Sequence, residues 1–449
     1  MPDAALVARI EPILASAPAT VAVCVIELPA RRELYARDAD RPMRPASNLK
    51  LVTAAVALDR FGPDHRFETR LAIAGDDLYL IGGGDPGLGD PTIAGWSGHK
   101  PTDDFAAFAD ALRARGLTRI KGNLYYDDRA LDEQWTLPTW DKSFREYWYA
   151  APVAGLNFND NCMDVTVHPT TPGRPVRFEV MPPTAGLHVI NQCVTGAQQT
   201  AAIHRGASGF DYVITGQCAR TATLASKPVE NPGAFTADAF RTYLGSRGIT
   251  IDGQTLRTPS QVNPRDVQTL ATHGTSMADL LKRMNKSSQN FFAEALDKLT
   301  GQATTVADAE NLTSWQRGER GARSFLERNG IDANALRMAD GSGLSRDDRV
   351  TARLMTDLLA VMAAHPHAAV FRDSLPIAGT DGTLRKRLSD LAGRIRAKTG
   401  SIGGVRTLSG YATTVDGRVV AFSILANDIQ GDDDDVLQTI DEIARAIAK

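Results

Sequence analysis

The chain has 449 residues and a formal net charge of −3, from 50 lysines and arginines against 53 aspartates and glutamates. That near balance gives no electrostatic reason to expect nucleic acid or an anionic membrane as a partner. No apolar run approaches the ~18 residues of a membrane-spanning helix, and the length suffices for two or three domains with sizeable cores.

The opening stretch MPDAALVARIEPILASAPAT reads as an amphipathic helix leading into a Val- and Ile-rich strand, Thr20–Leu28. No secretory leader is recognisable, which fits either a cytosolic protein or a mature chain whose leader has been removed. ELYARD follows as the hairpin partner of the first strand. RPASNLKLVTAA (Arg44–Ala55) then starts a helix expected to run from Ser47 to about Arg60 and to stop at Gly62-Pro63. Ser47 and Lys50 are three residues apart, close to one turn, so their side chains point the same way. A serine here is ordinarily a helix cap and the lysine a solvated first-turn residue. The alternative is a nucleophile beside its base.

From about Arg66 to Pro264 the chain is rich in short strands, glycine and proline, as in DLYLIGGGDPG, IKGNLYYDD, CMDVTVHPT and VRFEVMPP. One clear helix interrupts it, TDDFAAFADALRARG, with Thr102 as cap and Gly116 as stop. IGGGDPGLGDP lacks the G-K-[ST] ending of a phosphate loop and reads as a tight turn. The region 66–264 is therefore expected to be an insertion, mostly β. From Ser276 the chain turns helical. It then ends in a hairpin with Asp416-Gly417 at its tip and a closing helix with an acidic first turn, where the helix dipole favours anions. Strands from both chain ends plus the terminal helix suggest one sheet built from the two ends.

The cysteines, Cys24, Cys162, Cys193 and Cys218, form no C-x-x-C. Cys24 reads as a buried thiol. Cys193 and Cys218 lie at similar places in two strand-like segments, and whether they bridge in an oxidising compartment stays open. The eight histidines are scattered, with no H-E-x-x-H. Neither a metal nor a cofactor is expected.

Two short motifs follow Ser47 and Lys50: Ser288-Gln289-Asn290, an S-x-N in a helical stretch, and Lys398-Thr399-Gly400, a K-T-G entering a strand. Each is weak alone. In this order and these settings they form the set used by β-lactamases and penicillin-binding proteins. The roughly 240 residues between Ser47 and Ser288 leave room for extra domains. The chain resembles the class C low-molecular-mass penicillin-binding proteins, the penicillin-binding protein 4 type of D-alanyl-D-alanine carboxypeptidase and endopeptidase. DLYLIGGGDP, APVAGLNFNDN, DGSGLSR, IAGTDGTLRKRL and KTGSIGGVRTLSGY extend the likeness along nearly the whole chain.

The resemblance implies an α+β fold. Residues 1–65 and 265–449 would form a transpeptidase or β-lactamase-like domain, with a central antiparallel sheet flanked by helices. Residues 66–264 would hold two nested subdomains, the inner one roughly 88–170. It implies Ser47 as nucleophile and backbone amides of Ser47 and Ser401 as oxyanion donors. Lys50 can act as base only when neutral, which burial and the second cation Lys398 would favour. Ser288 would bridge Lys50 and Lys398 and relay a proton to the leaving group, and Asn290 would hold the substrate amide. Lys398, Thr399, Gly400 and Ser401 would receive a terminal carboxylate. Arg346, after DGSGLS, is a candidate for a free carboxylate of a diaminopimelate-type stem, or a surface charge. Trp135 is a candidate to reach over the cleft, and Trp135 and Trp140 read equally well as core aromatics.

The implied reaction is D-Ala-D-Ala cleavage, with D-Ala–diaminopimelate crosslinks as a further substrate, and β-lactams as covalent inhibitors. Peptidoglycan stem peptides would be the partners and the periplasm the location. The middle motif is S-Q-N rather than S-D-N, at a variable position. No E-x-x-x-N lies between Asn290 and Lys398, which argues against fast β-lactam hydrolysis by the class A route. The competing readings are a β-lactamase, esterase or D-aminopeptidase on the same scaffold, and a non-catalytic binding protein, against which the complete motif set argues.

Overall fold

The computed structural model describes residues 2–206, 211–263, 265–305 and 308–449. The chain divides into two compact units, Met1–His65 with Ser276–Lys449, and Arg66–Thr275.

The first unit is organised on a five-stranded sheet drawn from both chain ends. Its strands are β1 (Thr20–Leu28), β2 (Arg32–Arg37), β3 (Ile395–Ile402), β4 (Val405–Thr413) and β5 (Val419–Asn427). They lie in the order β3-β4-β5-β1-β2, every pair antiparallel. β1 and β5 pair along their whole length, Thr20 opposite Asn427 and Leu28 opposite Val419, so the first strand of the chain is zipped to its last. One sheet face offers Val21, Val23, Val25, Phe422 and Ile424. Helices α1 (Ala4–Ala15) and α7 (Asp433–Ala448) cover it with Leu6, Ile10, Val436, Ile440, Ile443 and Ile447. Each such side chain contributes ~1.5–3 kcal/mol when fully buried. Asp433, Asp434 and Asp435 stand in the first turn of α7, as the dipole favours.

Further helices of this unit include α2 (Lys50–Phe61), α3 (Met277–Lys286), α4 (Asn290–Ala303), α5 (Ser314–Arg328) and α6 (Ala352–Ala364). α4 is buried from Asn290 to Gly301, charged residues included. A helix buried all round is the centre of its cluster, and α2 and α5 pack against it.

The inserted unit holds a mixed five-stranded sheet in the order Thr255–Arg257, Leu124–Asp127, Asp77–Ile81, Arg66–Ala74, Gln268–Ser276. Helices Ala106–Ala114 and Pro232–Ser246 pack on it through Phe108, Leu112, Phe235 and Phe240. Two expected boundaries move. The insertion ends at Thr275 rather than 264, because strand Gln268–Ser276 completes this sheet beside Arg66–Ala74; Pro264 itself lies outside the described residues. The smaller nested body is not 88–170. Leu88, Phe105, Leu124 and Phe158 share one core with Leu71 and Leu80. The reason is topological: Asp77–Ile81 and Leu124–Asp127 run parallel, and a parallel pair needs a crossover, supplied by the segment carrying helix Ala106–Ala114. A separate small core instead gathers Met163, Val165, Ile203, Tyr212, Ile214, Cys193 and Cys218. All four cysteines are buried free thiols.

Candidate active site

Ser47 does not cap a regular helix, as its position in the sequence had suggested. It sits in a 3-10 turn, Ala46–Leu49, directly before α2, and no side chain caps that turn. Ala46 is held at φ 46°, in the left-handed region. The turn is docked on the sheet by polar groups. Thr407 Oγ1 donates to Pro45 O at 2.9 Å, and Arg44 N donates to Asn427 Oδ1 at 2.8 Å. The Asn48 amide bridges β3 and β4. In the orientation that satisfies both its ends, its nitrogen donates to Lys398 O (2.8 Å) and its oxygen accepts from Ser409 N (3.1 Å). Gly400 is required here: a Cβ would stand 2.1 Å from Thr407 Oγ1 and 3.1 Å from Ser47 N.

Lys50 is fully buried. Its Nζ donates to Ser47 Oγ (2.9 Å), Asn290 Oδ1 (2.7 Å) and Ser342 O (2.8 Å), three acceptors for three protons. Burial pushes its pKa down to about 7, against the opposing pull of Glu294, Asp340 and Asp348. Lys398, also fully buried, donates to Ser288 Oγ (2.8 Å) and to Thr399 O (2.8 Å). Burial and then the charge of Lys50 hold it well below the usual lysine range. Burial is the leading cause for both lysines, and the repulsion between them adds to it at Lys398. Ser288 adopts φ 56° in the turn between α3 and α4. It is bonded to Lys398, while Asn290 occupies the place beside Lys50 where a bridging Ser288 was expected.

K-T-G lies on β3, the sheet's edge strand. Ala378 N donates to Ile395 O and Ala397 N to Pro376 O, so residues 395 and 397 turn their backbone groups away from β4. Alternation along the strand turns those of Thr399 and Ser401 the same way. Thr399 Oγ1 donates to Thr383 Oγ1 at 2.7 Å, and Ser401 is exposed. Arg346 is exposed, and its Nη2 stands 3.1 Å from where a Cβ on Gly403 would lie, at the β3–β4 turn.

Seven of the expected residues, Ser47, Lys50, Ser288, Asn290, Lys398, Thr399 and Gly400, are connected by these contacts. Ser401 and Arg346 flank them at the end of β3. Trp135 belongs to the inserted unit, where it lines a cavity of about 260 Å³ with Arg145, Arg205 and Glu230. Trp140 is buried in the same unit. Sequence reasoning missed Asn48, Glu294, Asp340 and Ser342. Asp340 accepts from the N–H groups of Ser342 (3.1 Å), Gly343 (2.7 Å) and Ser345 (2.7 Å), folding DGSGLS so that Ser342 O reaches Lys50. The signal was there: an aspartate followed by small residues and glycines is a turn that binds its own backbone.

A serine in contact with a buried lysine, set beside an open sheet edge, places the first unit in the transpeptidase and β-lactamase-like fold. The chain belongs to the D-Ala-D-Ala carboxypeptidase 3 (S13) family, which it matches over residues 6–449. It is 33% identical to the D-alanyl-D-alanine carboxypeptidase of Actinomadura sp. (strain R39) over 436 residues, 91% of this chain and 78% of that protein. It is 28% identical to D-alanyl-D-alanine carboxypeptidase DacB of Haemophilus influenzae over 400 residues, 85% and 79% of the two chains. Its fold is similar to the crystal structure of penicillin binding protein 4 (dacB) from Haemophilus influenzae, with a TM-score of 0.77 at 24% identity, covering 99% of this chain and 98% of that one.

Proposed function

We propose that this serine D,D-peptidase cleaves D-Ala-D-Ala termini, and D-Ala–diaminopimelate crosslinks, of peptidoglycan stems through an acyl-enzyme on Ser47. The observation that carries the reading is the 2.9 Å contact from Lys50 Nζ to Ser47 Oγ inside a site where Lys50 is fully buried. A serine hydroxyl needs a base, and a lysine near pH 7 in its titration supplies one at neutral pH.

The neutral Lys50 takes the Ser47 proton as Oγ attacks the carbonyl of the penultimate D-alanine. The oxyanion falls to the backbone N–H groups of Ser47 and Ser401, and each such donor is worth ~3–4 kcal/mol in comparable sites. The outward groups of Thr399 and Ser401 let the substrate backbone lie along β3 as an added strand. The C–N bond then breaks, and the departing amine takes a proton from Ser288, which Lys398 holds at 2.8 Å; the proton that Lys50 took from Ser47 replaces it on Ser288, which returns Lys50 to its neutral form for deacylation. Lys398, Thr399 and Ser401 face the terminal carboxylate. Water, deprotonated by Lys50, cleaves the ester. Asn290 positions Lys50 and, with its amide, the substrate. Arg346 receives a free carboxylate on the stem side chain.

β-Lactams enter the same path and remain as the Ser47 ester. The substrate lies outside the cytoplasmic membrane, so a periplasmic location follows. Among the described residues no helix is long and apolar enough to cross a membrane. Intact mass after incubation with benzylpenicillin, with peptide mapping, tests the reading. A lasting adduct on Ser47 and release of D-alanine are expected. Rapid penicillin turnover would identify a β-lactamase instead, and no adduct would remove the acyl-enzyme.

A further inference from the structure

Behind Lys50 lie four buried carboxyl groups that the reaction above does not use: Glu294, Asp297, Asp340 and Asp348, none more than 3% exposed. Glu294 is on α4, one turn from Asn290. Its Oε2 accepts from Trp315 Nε1 (2.8 Å) and from Gly341 N (3.0 Å). Gly341 is joined to Ser342, whose carbonyl accepts from Lys50 Nζ. Gly341 O in turn accepts from Thr53 Oγ1 of α2 at 2.7 Å, so the segment is gripped from two helices. Glu294 is thus one peptide away from the Lys50 ammonium.

We propose that Glu294 is a positioning residue for Lys50: it fixes the Gly341–Ser342 segment whose carbonyl holds the ammonium, and its charge sets how readily Lys50 surrenders a proton. This rests on the reading of Lys50 as the base. Two properties make Glu294 suited to it. It accepts from two neutral N–H donors, with the neutral Ser342 hydroxyl also beside it, and from no cation, so its own charge is not cancelled by a direct ion pair in these contacts. Its Oε1 has no hydrogen-bond partner, and burial, followed by the nearby Asp340 charge, pushes its pKa up to about 8. Lys50 and Glu294 therefore titrate in the same range, each favouring the charged form of the other. The other ionisable groups facing this pair are Asp340 and Asp348 from the 340–348 segment, Asp297 from α4 and Lys398 from β3, with Lys298 of α4 and Glu319 of α5 bearing on Asp297. Lys298 is turned to the Trp315 ring, 4.3 Å from its centroid.

The test is the pH dependence of benzylpenicillin acylation, by stopped flow, for the parent, Glu294→Gln and Glu294→Ala. Glutamine keeps an acceptor for Gly341 and Trp315 and removes the charge. Lys50 then loses its proton more easily, and the rising limb moves to lower pH by about half a unit or more, with the plateau largely kept. Alanine leaves Gly341 N and Trp315 Nε1 without their acceptor and frees the segment, so the plateau falls about tenfold or more. A role in stability alone would lower the melting temperature without moving the limb of the glutamine variant. Superimposed limbs for parent and Glu294→Gln, or an intact plateau in folded Glu294→Ala, would overturn the inference while leaving Ser47 chemistry standing. A parent that forms no Ser47 adduct would overturn the underlying reading and this inference with it.

Discussion

Asp127 and Asp128 of the inserted unit and Glu294 and Asp340 of the first unit are equally buried, at 2% exposure or less. Their surroundings differ. Asp127 meets Arg129 at 2.6 Å and Asp128 meets Arg257 at 2.7 Å. Asp85, in the same unit, accepts from Gly87 N, Thr275 N and Thr275 Oγ1. There, buried carboxylates hold strands and loops together through donors of opposite charge or dipole, as stability requires. Around Ser47 the buried charges face like charges as well as opposite ones. Lys50 bears on Lys398, Glu294 feels Asp340, and Asp297 and Asp348 are each pushed well above the usual carboxylate range, first by burial. Charges left in such conflict cost stability and shift proton affinities toward neutrality, which is what acid–base chemistry needs. In the inserted unit the buried charges tie strands and loops together, and in the first unit burial shifts proton affinities around Ser47.

The largest effects should come from breaking the reactive set. Ser47→Ala should abolish both the penicillin adduct and D-alanine release. Lys50→Arg should be nearly as damaging, by ~10²–10⁴ in acylation rate, because guanidinium stays protonated. Lys398→Arg keeps the charge and should retain measurable activity. Stopped-flow acylation of the three variants checks the order. Near-parent rates for Lys50→Arg would reverse the roles given to the two lysines.

Next comes a backbone test of the same unit. Gly343 has φ 82°, and a Cβ there would stand 1.8 Å from Ala46 O, on the turn that carries Ser47. Gly343→Ala must push that turn aside. A displacement near 1 Å costs ~10²-fold in rate, so acylation should fall by about that factor, with a smaller loss in melting temperature.

Asp85 sharpens the other half of the comparison. Burial raises its pKa to about 6, against 3.8 unperturbed. The folded state therefore binds this proton more tightly than the unfolded one. Its contribution is fully present below about pH 4 and is lost as pH rises through about 6, by up to about 3 kcal/mol. Asp85→Asn is neutral throughout. The stability advantage of the parent over it, from urea unfolding, should shrink between pH 4 and pH 7, with acylation of the folded variant unchanged. A constant advantage would place Asp85 with the ordinary surface carboxylates.

The sequence displayed the three motifs that the fold brings together because each, S-x-x-K, S-x-N and K-T-G, is short and local, and its spacing survives without knowledge of the fold. The sheet from both chain ends was legible in the same way: Thr20–Leu28 and the Asp416-Gly417 hairpin have the composition of buried strands and a tight turn. Glu294 was not legible. In FFAEALDKL it looks like any solvated helical glutamate, and only the packing of α5 and the 340–346 turn around α4 buries it. Asn48 was hidden likewise, because its partners Lys398 and Ser409 are some 350 residues away. The nested body was misplaced because parallel pairing between Asp77–Ile81 and Leu124–Asp127 leaves no local trace. The S-x-x-K helix start was read as regular, whereas docking on Thr407 and Asn427 tightens it into a 3-10 turn.

The smallest effect expected is at Arg346, where the comparison between the units reaches the surface. This cation is exposed at the turn after β3, and no carboxylate partner of its guanidinium is present among the described residues, in contrast to Arg129 and Arg257 of the inserted unit. An arginine held near an open sheet edge without an ion pair is available to a substrate carboxylate, and such charge-assisted pairs contribute ~1.5–3 kcal/mol. Exposure to water places the expected value at the lower end. Arg346→Ala should therefore raise KM about tenfold for stem peptides ending in D-Ala-D-Ala whose diaminopimelate carboxylate is free, and leave kcat nearly unchanged. Peptides with lysine in place of diaminopimelate, or with that carboxylate amidated, should show no difference between parent and variant. Benzylpenicillin acylation should also be unaffected, which separates recognition of the side chain from the chemistry at Ser47. An equal loss on both peptide classes would make Arg346 a support for the β3–β4 turn rather than a reader of the stem.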